Sequence, residues 1–271
     1  MNKFYTMFLT IGLCLFVLVP VTVLSEEKAK EDKEKITPKN VPSHVLNISK
    51  ENTYPNSTKD LTFLEPSSLT KELIDGADVK IENPDLIKML NETTIHPSPI
   101  AFGYRSMIYL GNWPLNYESQ ETSVNWEYQE INVNELNNYG GDSKKTLNYV
   151  QEQEKEINGG LTSKVEQAES IKKLMLLKAQ ENVDLPLSFK TIIGKGTKKE
   201  QTYGVPPKKN GRLLAYAPAV NEKGILTMGE VYIKLKGSNK TLVVKNVEKQ
   251  GIGAWIPIQD YVSFSFQLKD H

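Results

Sequence analysis

The chain has 271 residues, with 33 Lys+Arg balanced by 33 Asp+Glu, 24% charged and 39% hydrophobic residues. Such a composition is that of a globular chain rather than a disordered or fibrous one. Zero net charge excludes a global basic footprint for nucleic acid, and a single cysteine excludes an intramolecular disulfide or a Cys-rich zinc site.

The first 25 residues carry one charge, Lys3, before an apolar run from Phe8 to Val19 that ends at Pro20. A positive start, an apolar centre and small residues at Val23 and Ser25 predict a secretory signal peptide cut after Ser25. An uncleaved anchor is the main rival, because Phe8 to Leu24 is near the lower length limit for a span. A lipoprotein reading of Cys14 is disfavoured by the bulky Leu13 before it. Cleavage would leave 246 residues, Glu26 to His271, with no cysteine and a net charge of about −1. Stability would then rest on burial, which at this size removes ~70–75% of the unfolded surface from water.

Residues 26–60 are expected to form a charged and polar linker. Glu26 to Lys35 reads EEKAKEDKEK, and a run so charged cannot bury an apolar face. Ile36 to Asp60 is rich in Pro, Asn, Ser and Thr. One globular domain is expected over 61–271.

Short helices are predicted near 68–75 and 84–91. Ser67 or Ser68 can cap the first. Asn83-Pro84-Asp85 supplies a cap, a proline at the first helical position and an acid on the positive end of the second. His96-Pro-Ser-Pro99 ends that helix. The apolar period then becomes two: Phe102, Tyr104, Ile108 and Leu110 share one side, as do Val124, Trp126 and Tyr128 further on. A phase change at Glu130-Ile131 predicts a bulge. Asn137 to Asp142 reads as a turn, and 146–156 is open between strand and helix.

One long helix is predicted over about 163–181. Ser163 and Glu166 form a capping box, and Val165, Ala168, Ile171, Leu174 and Met175 recur at helical spacing. The C-terminal third reads as antiparallel strands, with turns at Asn221-Glu-Lys-Gly224 and Gly237-Ser238-Asn239. The fold class is therefore α+β: antiparallel sheet, one long helix and short helices near the start.

Catalytic patterns such as HExxH, GxSxG and GxxxxGK[ST] are absent. SxxK occurs at Ser68–Lys71 and Ser170–Lys173 without its Ser-Asp-Asn and Lys-Thr-Gly partners. Only His44, His96 and His271 could serve a triad, and none has a suitable setting. No cofactor or metal is expected. Glu118, Glu121, Glu127 and Glu130 offer carboxylates for a glycosidase-like pair, whose separations a sequence does not give.

Two features suggest surface recognition. Seven aromatics, Phe102, Tyr104, Tyr109, Trp113, Tyr117, Trp126 and Tyr128, fall within 27 residues and could stack on sugar faces, although strands also use aromatics for packing. Lys195, Lys198 and their neighbours, in Gly194-Lys-Gly-Thr-Lys-Lys199, could hold an anion, with Lys208, Lys209 and Arg212 extending the patch. Candidate contacts are Tyr104, Trp113, Trp126, Lys195 and Lys198.

The segment Pro99 to Ser119, PIAFGYRSMIYLGNWPLNYES, with Ala215 to Asn221, AYAPAVN, and Gln250 to Pro257, QGIGAWIP, resembles the YfkD-like family of Gram-positive spore-forming bacteria. The resemblance runs over roughly Val41 to Leu268. It implies an exported, envelope setting and brings no catalytic or binding residues, because the family is functionally uncharacterised.

The expectation is an exported cell-envelope protein, a non-catalytic binding or interaction module for a wall polymer or an envelope protein. No nucleic-acid partner is expected, and membrane contact only through an uncleaved N-terminal segment. The alternative is a wall-active hydrolase using a carboxylate pair.

Overall fold

The computed structural model describes residues 35–54, 56, 64–93, 105–237 and 239–270. In chain order its elements are β1 (Val45–Asn47), α1 (Ser68–Asp75), α2 (Pro84–Glu92), β2 (Arg105–Asn137), β3 (Lys145–Val150), β4 (Lys155–Asn158), β5 (Gly160–Leu161), α3 (Ala168–Asn182), β6 (Lys190–Ile193), β7 (Lys198–Val205), β8 (Lys209–Lys236), β9 (Asn239–Pro257) and β10 (Tyr261–Asp270). Antiparallel pairing dominates, and the three helices have 8, 9 and 15 residues.

Two of these strands are very long. β8 has 28 residues and β2 has 33, where a strand of ordinary length has about 5–6. At ~3.3 Å per residue β8 extends roughly 90 Å. β2 pairs one edge of β8 from Asn210 to Lys236. The other edge is shared: β10 pairs Lys209–Tyr216, and β9 pairs Ala219–Lys236. β1 extends the sheet beyond β10, and β5 beyond β9. β2 carries five register shifts, one of them between Glu130 and Asn132, where the bulge was expected. Pro114 sits within β2, which as an edge strand tolerates a missing N–H.

Three cores follow one another along β8. Near its start Leu213, Ala215 and Ala217 pack with Val262, Phe264, Leu147, Tyr149, Ile157, Ile193 and Val205, so the two-stranded β3–β7 and β4–β6 sheets cover this end. In the middle Val220 and Leu226 pack with Ile171, Leu174, Met175 and Ala179 of α3. Near its end Val231 and Ile233 pack with Leu73 of α1 and Leu86 and Leu90 of α2. The core residues change from odd to even positions after Pro218, and back to odd after Gly229, so successive cores draw on alternate residues of one strand.

Local chemistry explains the helices. Ser67 Oγ accepts from the Thr70 N–H at 3.2 Å. Asn83 Oδ1 accepts from Asp85 N at 2.9 Å, and Asn83 Nδ2 donates to the Pro114 carbonyl at 2.6 Å, which ties the α2 cap to β2. The long helix expected over 163–181 is a shorter one. Gln167 has φ 53°, a left-handed conformation that breaks helical propagation, so α3 starts at Ala168 and the Ser163/Glu166 box does not form.

One open segment is decided and one expected turn changes. The segment 146–156 resolves into two strands. Asn221-Glu-Lys-Gly224 is no turn: it lies inside β8, paired on both sides. Gly224 instead makes room, because a Cβ there would collide with the Glu118 carbonyl and the Tyr117 hydroxyl. The polar lead-in also enters the globular unit. Ile36 bridges Val183, Val45 and Ile48 are buried, and β1 pairs β10. His96 to Pro99 lie outside the described residues.

Two stability predictions follow from these contacts. Gly224→Ala should lower the unfolding free energy by about 1–3 kcal/mol through overpacking, read by urea denaturation; an unchanged midpoint contradicts the assigned packing. Asp85 accepts from Lys173 Nζ and Ser170 Oγ, both at 2.6 Å, joining α2 to α3. Burial pushes its carboxyl up, but those two bonds outweigh burial and hold it below its ordinary value. A lowered folded value means stabilisation above the unfolded pKa of about 3.9, lost as pH falls through the folded value. Asp85→Asn should therefore cost about 1 kcal/mol near neutrality, allowing for solvent screening, and clearly less at about pH 2. Equal losses at both pH values contradict the ion pair's role.

Candidate functional site

The sheet ends where β2 begins and the β8–β9 hairpin turns. Paired residues in an antiparallel ladder share a face. Ser106, Ile108 and Leu110 lie on the face carrying Leu235 and Ile233, beneath which α1 and α2 pack. The opposite face carries Arg105 beside Lys236, Met107 beside Lys234, and Tyr109 beside Tyr232. On the other side of β8, Asn239, Thr241 and Val243 continue the same three rows. Lys245 lies one row beyond, opposite Glu230.

This face is open. Met107 is 44% and Tyr109 55% exposed. Tyr109 and Tyr232 have ring centroids 5.1 Å apart, and the Lys245 ammonium stands 5.1 Å over the Tyr232 ring. Tyr232 Oη donates to Glu230 Oε2 at 2.7 Å. That bond pushes the phenol above its ordinary value and the carboxyl below its own. Among the described residues Arg105, Lys234 and Lys236 have no ion-pair partner. With Met107, and with Ser106 and Leu235 of the opposite face, these three border a cleft of about 370 Å³ at the end of the sheet. Chemically the face offers three cations, unpaired among the described residues, beside a two-ring platform.

The sequence-derived candidates are distributed differently. Tyr104 and Phe102 lie outside the described residues. Trp113 is half-buried, packs against the third core, and donates its indole N–H to the Leu110 carbonyl at 2.9 Å. Trp126 is half-buried against the middle core. Tyr128 stacks on Trp255 at 5.1 Å. Lys195 and Lys198 are exposed around the β6–β7 turn, where Gly196 has φ 82°. Lys199 is committed to Glu51 Oε1 and the Asn47 carbonyl, both at 2.9 Å. That turn belongs to the first core and Trp113, opposite Gly229, to the third. From Ala215 to Gly229 is roughly 45 Å of strand, so the structure does not bring the tryptophan and these lysines together.

A second polar cluster is sealed. Glu222 is fully buried; Tyr117 Oη donates to its Oε1 at 3.0 Å and Thr122 Oγ1 to its Oε2 at 2.7 Å. Asn182 Nδ2, at the end of α3, donates to Thr122 Oγ1 at 3.0 Å. Burial, then the Glu222 charge, push the Tyr117 phenol far above its ordinary value, so it remains a donor. With both oxygens satisfied and no exposed surface, this carboxyl joins α3, β2 and β8. The four acids considered for hydrolysis are all exposed on β2, and Glu121 pairs with Lys223 at 3.1 Å. Among the described residues no three His, Cys, Asp or Glu cluster as metal ligands would, and no helix is long and apolar enough to cross a membrane.

Sequence reasoning passed over Arg105, Lys234 and Lys236. A signal was present: Tyr232, Lys234 and Lys236 alternate with Val231, Ile233 and Leu235. What sequence lacked was the register that sets Arg105, Met107 and Tyr109 beside them.

The fold is that of an antiparallel α+β protein with an exposed face of aromatic and cationic side chains at one end of its sheet. The chain belongs to the YfkD-like family, whose model matches residues 42–271. It is 58% identical over 228 residues to the Bacillus subtilis (strain 168) protein named "Uncharacterized protein YfkD", covering 84% of this chain and 86% of that one. Among solved structures, a lamprey immune protein aligns with 60% of this chain and 53% of its own, at 9% identity and a TM-score of 0.24, too low to support any inference.

The two kinds of aromatic should separate by stability. Trp113→Ala is expected to cost about 2 kcal/mol, a half-buried share of a core truncation. Tyr109→Ala should stay within ~0.5 kcal/mol. Thermal or urea unfolding checks both, and the reverse order would contradict the assignment.

Proposed function

We propose that this chain is an exported, non-catalytic binding module of the cell envelope that engages a wall component or an envelope protein through the open face at the sheet's end. The observation that carries this reading is the exposed Tyr109 ring, packed on the half-buried Tyr232, beside Arg105, Lys234 and Lys236, cations without ion-pair partners among the described residues. Exposed rings and cations are what surface recognition uses, and they are the groups that cores and ion-pair networks absorb. The buried carboxyl, by contrast, is spent on internal hydroxyls.

Export is part of the same proposal. Positive Lys3, the apolar run and the small residues to Ser25 support it. A wall-active hydrolase would need two carboxyls converging on a cleft, with one held protonated. The exposed placement of Glu118, Glu121, Glu127 and Glu130 favours binding over that alternative.

Two measurements test the reading. Protein secreted by cells expressing the full chain should begin at Glu26 on N-terminal sequencing; retention of residues 1–25 would replace secretion with anchoring. Incubated with isolated wall sacculi, the protein should sediment with the wall and release no soluble fragments. Released fragments would establish the hydrolase instead, and protein left in the supernatant would remove the wall as its target.

A further inference from the structure

The open face has a geometry that selects among envelope ligands. Arg105 and Lys236 are direct cross-strand neighbours, about 5 Å apart at Cβ. Lys234 follows two residues along β8, roughly 7 Å away. Tyr232 and Tyr109 occupy the next row, and Lys245 the one after, opposite Glu230. The cations thus run along the strands for roughly 20 Å, interrupted by a ring platform, on a strip three strands and about 10 Å wide. Glu230, the acid in the Lys245 row, is occupied by the Tyr232 hydroxyl.

Resting on the binding-module reading, we propose that this strip binds an extended phosphodiester polyanion, with its phosphates on Arg105, Lys234 and Lys236 and its uncharged repeats over Tyr109 and Tyr232. Charge complementarity supplies the sign. Arg105 adds a planar fork suited to a phosphate, and the two lysines add point charges spaced along the strand. A row of cations in line fits a chain laid lengthwise. A lipid surface would instead call for a contiguous apolar patch, and here Met107 and Val243 are the aliphatic members of the strip. Lys195 and Lys198 lie at the first core and take no part.

The test uses the mature protein purified from cells expressing the full chain, with fluorescent polyglycerol phosphate as probe. Binding should weaken as salt rises, with log K against log[salt] sloping about −2, as three phosphate contacts at ~0.7 each require. Arg105→Gln/Lys234→Gln/Lys236→Gln should lose at least about tenfold in affinity and flatten that slope. Tyr109→Ala should weaken binding and keep the slope. Lys195→Gln/Lys198→Gln should bind as the parent does, and melting curves of all variants should match the parent's. The proposal falls if the triple variant binds unchanged, if Lys195→Gln/Lys198→Gln is the weakened variant, or if phosphatidylglycerol vesicles bind and the polymer does not. Sedimentation with sacculi but no affinity for the polymer would overturn this inference and leave the binding-module reading standing.

Discussion

Strand β8 has hydrogen-bond partners on both edges over nearly all of its 28 residues. That double pairing satisfies its backbone donors and acceptors, each of which would cost about 1–3 kcal/mol if buried unpaired. It also allows one strand to serve three cores. Among the described residues the sheet has three separate covers: α3 over the middle, the two-stranded β3–β7 and β4–β6 sheets over one end, and α1 with α2 over the other. β8 and β2 run beneath all three covers, and α2 also meets α3 directly where Asp85 accepts from Lys173 and Ser170.

Such long strands must be held in register, since a slip of one residue turns every side chain to the other face. Glu222 and Gly224 act as a lock at the midpoint. Glu222 must face the hydroxyls of Tyr117 and Thr122, and Gly224 must lie where the Tyr117 ring passes. A slipped strand would strand the carboxylate and drive a side chain into that ring. β2, whose outer edge is not continuously paired, carries five register shifts, Pro114 and a series of glutamates, features that discourage edge-to-edge association. The overall charge is balanced, yet acids gather on this edge while Arg105, Lys234 and Lys236 gather on the face at the sheet's end.

Much of this was legible in the sequence where local chemistry decides. The caps of α1 and α2, the bulge at Glu130 and the alternation of β10 were readable from a few residues each. Two features were not. Asn221-Glu-Lys-Gly224 has turn composition, but pairing on both sides and the Tyr117 ring outweigh it, and both partners lie more than twenty residues away. The strip of Arg105, Tyr109, Tyr232, Lys234 and Lys236 depends on a pairing between residues over a hundred positions apart, which periodicity does not reveal. Gln167 shows the opposite limit: with one residue left-handed, the capping box that Ser163 and Glu166 spell in sequence does not form.

The most direct test of this account is native-state hydrogen exchange along β8. Amides from Leu213 to Ile233 should exchange slowly and together, with a protection free energy close to that of global unfolding. Rapid exchange of the Ile225–Ile233 segment, beside continued protection of Leu213 to Val220, would contradict the claim that one strand unites the three cores.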